Sequence, residues 1–191
     1  MLTKTMTDNA HFLIKEAIKG RAPNSLVAMD ATMGNGLDLA FLVGCPSIGK
    51  VFGFDIQAQA VAASYDRIKD YEDKVELILA SHINLSNYIK AIDVGMFNLG
   101  YLPHGSKNCT TQVNSSLMAI QETLKRLRPQ GIMTVMTYPG HEEGQREHEA
   151  IETYLSTQLP AYFLVFQLTS CNVKGHCPRL FVISNQNNKQ D

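Results

Sequence analysis

The sequence predicts an α/β protein: a mostly parallel seven-stranded sheet, helices on both faces and an antiparallel last strand. Three observations carry this. Short apolar runs alternate with longer amphipathic ones through most of the chain, the pattern of strand–helix–strand crossovers. The first strong strand, Leu26 to Ala31, reaches an acid and breaks into a Gly34-Asn35-Gly36 turn. Two strands then follow each other at the end with no helix between them, which adds the antiparallel element.

The elements follow in order. Residues 9 to 20 read as an amphipathic helix, with Phe12, Leu13 and Ala17 on its faces and Gly20 as its stop. Leu26 to Ala31 is a buried strand. Leu37 to Val43 is a helix, ended near Gly44 and Pro46. Lys50 to Ile56 is a second strand ending in an acid. Gln57 to Lys69 is a helix whose expected inner face is Ala58, Val61, Ala62 and Ile68. Val75 to Leu79 and Asp93 to Leu99 are the third and fourth strands. Gln112 to Leu127 is a long helix closed by Arg128-Pro129. Gly131 to Thr137 is a strand and Glu142 to Leu155 a helix. Ala161 to Leu168 and Leu180 to Ser184 are the final strands. The polar tail from Asn185 to Asp191 is expected to fray.

The bulk composition excludes several classes. The chain has 191 residues, with 45% hydrophobic and 18% charged, which fits one globular domain over residues 1–191. Net charge is −1, so this is no strongly basic nucleic-acid-binding domain, although Lys125, Arg126 and Arg128 form a local basic patch. No run approaches the roughly 18 apolar residues of a membrane span, and the N-terminus lacks a signal-peptide core, so a cytoplasmic location is expected. The cysteines Cys45, Cys109, Cys171 and Cys177 form no Cys-x-x-Cys pair, so free thiols are expected and no metal site is assigned.

Ligands of open α/β sheets bind beyond the carboxyl ends of the strands. Polar and small residues gather at five such ends. The first offers Asp30, Thr32, Gly34, Asn35, Gly36 and Asp38. Glycines there let backbone N–H groups approach a ligand, because no Cβ blocks them. The third glycine of a dinucleotide fingerprint is replaced by Leu39, which argues against NAD. The Gly-Lys-Ser/Thr ending of a P-loop is missing too, which argues against ATP hydrolysis. Asp55, with Ile56 and Gln57 beyond it, ends the second strand; a carboxylate there can accept both hydroxyls of a ribose, or cap the next helix. Asp30 can fix the glycine loop through backbone N–H groups, touch a ligand, or do both. Asp38 suits a helix N-terminus. Ser81 and His82 follow the third strand.

The fourth strand ends in Asn98-Leu99-Gly100-Tyr101-Leu102-Pro103-His104. An amide, backbone carbonyls and an aromatic face can hold a planar amine near a reacting group. The plainer reading is a strand-ending turn. Tyr138 and His141 follow the fifth strand. His104 and His141 are each candidate general bases, with a solvated loop histidine as the alternative.

Taken together, the glycine loop, the acid after the second strand and the Asn-x-x-Tyr segment resemble a class I S-adenosylmethionine-dependent methyltransferase, with its Rossmann-like fold. More closely, Asp30 to Asp38, Phe97 to Pro103 and Tyr138 to Gly144 resemble the YtqB-like rRNA methylase family. Its members are MnmM-type tRNA methyltransferases, acting on the amine of wobble 5-aminomethyl-2-thiouridine. The likeness runs from about residue 9 to residue 168. Two segments depart from the family pattern, Leu102 to Lys107 and Asn172 to Pro178, and both bear on the substrate.

The resemblance implies S-adenosyl-L-methionine as cofactor. Gly34, Asn35 and Gly36 would pass its methionine part, with Asp30, Thr32 and Asp38 around them. Asp55, Ile56 and Gln57 would hold ribose and adenine, with Ser81 and His82 at the adenine edge. Asn98, Leu99 and Tyr101 would face the sulfonium and the acceptor as the catalytic group. Tyr101, Pro103, His104, Tyr138 and His141 would touch the substrate. The implied partners are tRNA at its anticodon region and a second copy of the chain, whose weak basic patches would combine. The alternatives are transfer to rRNA or a small-molecule amine, an NAD-dependent oxidoreductase, and a non-catalytic nucleotide- or RNA-binding module.

Overall fold

The computed structural model describes residues 1–3, 5–100, 113–173 and 177–187. Its strands are β1 (Leu26–Asp30), β2 (Ile48–Asp55), β3 (Val75–Leu79), β4 (Ile92–Asn98), β5 (Leu127–Thr137), β6 (Phe163–Leu168) and β7 (Arg179–Asn185). Its helices are α1 (Met6–Ala17), α2 (Leu37–Val43), α3 (Ala58–Ile68), α4 (Val113–Arg126) and α5 (Glu142–Thr157). The seven strands form one sheet in the order β3-β2-β1-β4-β5-β7-β6. β7 runs antiparallel to both its neighbours, β5 and β6. The pairs β1–β2, β1–β4, β2–β3 and β4–β5 are parallel. This is the predicted fold class. The strand order reverses between β1 and β4, and a ligand crevice opens at such a switch point.

Alternation along the strands splits the core into two layers. Leu26, Ala28, Val94, Met96, Ile132 and Leu180 face α1, α2 and α3. Met29, Phe97, Met133, Val135 and Phe181 face α4 and α5. Successive strand residues point to opposite faces, so a sheet buried on both sides needs apolar residues at both parities.

Several boundaries differ from the sequence expectation. α1 begins at Met6, not residue 9, because the Thr5 side chain accepts from the Asp8 N–H and caps it. It ends at Ala17; Gly20, at φ 80°, lies in the turn beyond. β5 reaches back to Leu127, which pairs with Ile92 across a register shift, so Pro129 interrupts the strand and does not precede it. The inner face of α3 is Ala60, Ser64 and Ile68, while Ala58 and Ala62 are exposed. A tail frayed from residue 185 is also corrected: Asn185 is buried, and its Nδ2 donates to the Leu127 carbonyl at 2.7 Å.

Candidate functional site

The glycine loop is fastened from below and from both sides. Ala31 N donates to the Met96 carbonyl at 2.8 Å, Met33 N to the Phe54 carbonyl at 3.0 Å and Gly36 N to the Met33 carbonyl at 2.7 Å. Gly36 has φ 74°, and a Cβ on it would stand 2.9 Å from Ser64 Cα. Only glycine accommodates both constraints. Ser64 Oγ donates to the Gly34 carbonyl at 3.1 Å, and Arg67 Nε to the Asn35 carbonyl at 2.8 Å. This explains the shifted face of α3: small residues let that helix press against the loop.

Asp55 does not cap α3: the N-cap is Gln57, and the helix has no side-chain cap bond. Asp55 makes two other contacts. Its Oδ1 accepts from Gln57 N at 2.9 Å, and its Oδ2 accepts from Gly34 N at 3.1 Å. The carboxylate therefore ties the end of β2 to the loop. A carboxylate has about four acceptor positions, so capacity remains for a diol. Ile56 beside it is exposed, an apolar surface at the rim. Gln57 is the residue preceding α3.

Asp30 is fully buried. Its Oδ1 accepts from Thr32 N at 3.1 Å, as the loop-fixing reading requires, whereas Oδ2 has no hydrogen-bond partner among the described residues. Burial first, then the charges of Asp38 and Asp55, hold the Asp30 carboxyl well above the ordinary carboxylate range; the Thr32 and Leu39 amides oppose this.

His82 supplies the second orphaned atom. Its Nδ1 donates to the Ala31 carbonyl at 3.1 Å, and its buried Nε2 has no partner among the described residues. Burial lowers its pKa, so the ring is a neutral imidazole with an unused lone pair. Ser81 accepts from Ile83 N as the cap of the following turn.

Asp38 is not only a helix-dipole residue. It is buried, and its Oδ1 lies 2.6 Å from His11 Nε2. The His11 ring stacks on Phe41, centroids 3.8 Å apart. Sequence reasoning missed His11, which α1 carries to the start of α2. The helical period of α1 was the available signal, since it puts His11 beside the buried Ala10 and Ile14.

The end of β4 meets the loop directly. Asn98 N donates to Thr32 Oγ1 at 2.8 Å, and Leu99 N to the Met136 carbonyl at 2.9 Å. The Leu99 side chain is buried, so only its backbone can take part in chemistry. Tyr138 donates its hydroxyl to Asn98 Oδ1 at 2.8 Å. Burial first, then the Asp38 charge, push the Tyr138 phenol up to about 12, with the Asn98 bond opposing. Tyr101, Pro103 and His104 lie outside the described residues.

His141 turns out to cap α5: its Nδ1 accepts from Gly144 N at 3.1 Å. The neutral ring then carries its proton on Nε2 and has no free lone pair. That bonding opposes a general-base role for it. The basic patch lies at the opposite end of the sheet, where β4 and β5 begin. Lys125 and Arg126 pair with Glu122, and Arg128 with Asp93, so intrachain carboxylates offset much of its charge.

The residues present fit S-adenosylmethionine. Among the described residues two buried polar atoms, Asp30 Oδ2 and His82 Nε2, lack partners beside a glycine cradle. Asp38 and Asp55 lie beside it and suit a cofactor bearing a sulfonium and an ammonium.

The fold is that of the class I S-adenosylmethionine-dependent methyltransferases. Residues 51–184 match the family described as "Putative rRNA methylase", and the chain belongs to that family. It is 30% identical over 167 residues to the tRNA (mnm(5)s(2)U34)-methyltransferase, chloroplastic, of Arabidopsis thaliana, covering 79% of this chain and 59% of that protein. The chain thus spans less than two thirds of that curated relative. The structure of a "putative rRNA-methylase" from Clostridium thermocellum superposes with TM-score 0.88 at 32% identity, covering 96% of this chain and 99% of the other. A "putative methyltransferase" from Streptococcus mutans in complex with SAH superposes with TM-score 0.83 at 29% identity, covering 96% and 99%.

Proposed function

We propose that the protein methylates the amine of 5-aminomethyl-2-thiouridine at the wobble position of tRNA. The observation that carries this reading is the junction of Asn98 with the glycine loop through Thr32 Oγ1, at 2.8 Å. It ties an amide suited to an amine acceptor to the loop suited to the cofactor. The Arabidopsis relative, a tRNA methyltransferase by name, supports the choice of acceptor.

Asp55 would bind the ribose, with Ile56 and Gln57 at the adenine side and Ser81 and His82 at its edge. Gly34, Asn35 and Gly36 would pass the methionine part, with Asp30, Thr32 and Asp38 shaping its pocket. S-adenosylmethionine, when bound, supplies an electrophilic methyl group. The chain's task is to align an unprotonated amine with it, and alignment alone contributes much of such a rate. Asn98 Oδ1 and the Leu99 carbonyl would accept the amine's N–H groups and aim its lone pair.

Action at the anticodon region and a homodimer belong to the same reading and rest on the family resemblance. Sedimentation at micromolar concentration checks the dimer. Among the described residues no helix is long and apolar enough to cross a membrane. The test of the substrate is incubation with tRNA lacking the final methylation, with rRNA and with simple amines in parallel. Methylation confined to the tRNA nucleoside is expected; transfer only to rRNA or to free amines would replace this substrate with another.

A further inference from the structure

We infer that Tyr138 is a positioning residue for methyl transfer, its hydroxyl locking the Asn98 amide in a single orientation. This rests on the reading of Asn98 as the acceptor-facing residue and goes beyond it by naming what sets the amide.

The backbone of this segment is held by Thr32 and Met136, through Asn98 N and Leu99 N. Neither contact fixes the outer torsion of the Asn98 side chain. An amide turned by half a revolution exchanges an acceptor oxygen for a donor nitrogen of nearly the same shape. The two orientations have opposite chemical consequences. Oxygen toward the acceptor takes up an N–H and leaves the amine lone pair free. Nitrogen there would donate to that lone pair and compete with the attack.

The 2.8 Å bond from the Tyr138 hydroxyl favours one of them: turned about, the amide would donate to that hydroxyl, whose own proton would be left to Met136 Sδ. It occupies one lone pair of Oδ1 and sets where the other points. The alternative acceptor, Met136 Sδ at 3.1 Å, is a weak one. Two further facts make Tyr138 a rigid anchor. Its ring lies so close to the backbone that a Cβ on Gly100 would stand 3.3 Å from it. The ring also packs on the core layer containing Met136 and Leu180. With the phenol pushed up to about 12, the hydroxyl remains a donor throughout the neutral range.

The test is Tyr138→Phe, which keeps the ring and removes the hydroxyl. Three quantities are read: kcat on tRNA bearing 5-aminomethyl-2-thiouridine, the calorimetric Kd for S-adenosylmethionine, and the NMR signal of the Asn98 side-chain amide. We expect kcat to fall about 10-fold or more, as for loss of one preorganised polar contact, with Kd within about twofold and the amide signal shifted or broadened. An unchanged kcat overturns the inference, as does a Kd that weakens in step with kcat. Wild-type protein that transfers nothing to this tRNA contradicts the substrate reading instead. The amide signal then decides alone: a shift in Tyr138→Phe supports the lock, and an unmoved signal overturns it.

Discussion

Leu39 of α2 rests on Gly53 of β2: a Cβ on Gly53 would stand 3.0 Å from both Leu39 methyl carbons and from Met33 Sδ. In a dinucleotide fold, a third glycine on the helix permits close approach to the strand. Here the helix bears the large residue and the neighbouring strand the small one, with Gly53 directly opposite Asp30. The approach is kept by reversing which partner is small. Gly53→Ala overpacks this contact and should cost about 1–3 kcal/mol. Leu39→Ala leaves a cavity and should cost about 2–5 kcal/mol. Denaturant titration of both single variants and the double checks this. Because the added methyl fits the space the leucine vacates, the double variant should be more stable than the sum of the singles; strict additivity contradicts the contact.

Gly36 meets a harder limit, since a methyl group added there, at φ 74°, would meet the Ser64 backbone at 2.9 Å. Gly36→Ala should lower the melting temperature and weaken S-adenosylmethionine binding together, because the loop must shift to relieve either constraint. Gly20, also at a positive φ but with open space around it, provides the control. Gly20→Ala should leave cofactor affinity unchanged, and equal losses in the two variants would remove the argument from the cradle.

Asp55 is ascribed two tasks, and substitution separates them. Asp55→Asn keeps one acceptor oxygen for the Gln57 or Gly34 amide but gives up the charge. Hydrogen bonds to a charged group contribute about 1.5–3 kcal/mol, so cofactor affinity should fall roughly 10- to 100-fold. Asp55→Ala should also destabilise the loop. Calorimetry with S-adenosylmethionine, and with adenosine as the methionine-free probe, reads the first effect. Undiminished affinity in Asp55→Ala would mean that the carboxylate only ties β2 to the loop.

Two buried histidines set an acid limit to stability. His82 and His148 both have pKa values lowered from the ordinary 6.5, chiefly by burial. As pH falls below about 6.5, the unfolded chain takes up protons before the folded one does, so stability is lost in that direction. Their contribution is complete above the unfolded value. His148 is packed on Phe181 and bonded to Thr137 Oγ1 at 2.9 Å, away from the glycine loop. His148→Gln should therefore flatten the decline in melting temperature between about pH 6.5 and 5 without changing cofactor affinity at pH 7.5. A decline as steep as wild type's would assign the acid limit elsewhere.

The parts of the site legible in the sequence are those made by neighbours along the chain. Asp30, the glycine turn and Asp55 announce themselves because a strand, an acid and a tight turn must follow one another locally. Val75–Leu79 and Leu37–Val43 match the sequence bounds for the same reason. What stays hidden is made by partners distant in sequence. His11 lies 27 residues from Asp38, and Tyr138 lies 40 from Asn98. Nothing in either segment announces the other. On α3, hydrophobicity alone selects Ala58 and Ala62, whereas fit against Gly36 selects Ser64. At the start of β5, Pro129 reads as a stop, yet pairing of Leu127 with Ile92 carries the strand past it.

The central claim is that Asn98 and the glycine loop bring an acceptor amine of tRNA to S-adenosylmethionine. Nucleoside mass spectrometry of tRNA bearing 5-aminomethyl-2-thiouridine, treated with wild-type protein and with Asn98→Ala in parallel, tests it most directly. The account predicts gain of one methyl group on that nucleoside with wild type, and near-complete loss of transfer in a variant that still binds the cofactor within a few-fold. Wild-type protein that binds S-adenosylmethionine yet leaves the nucleoside unchanged, or full transfer by Asn98→Ala, would contradict it.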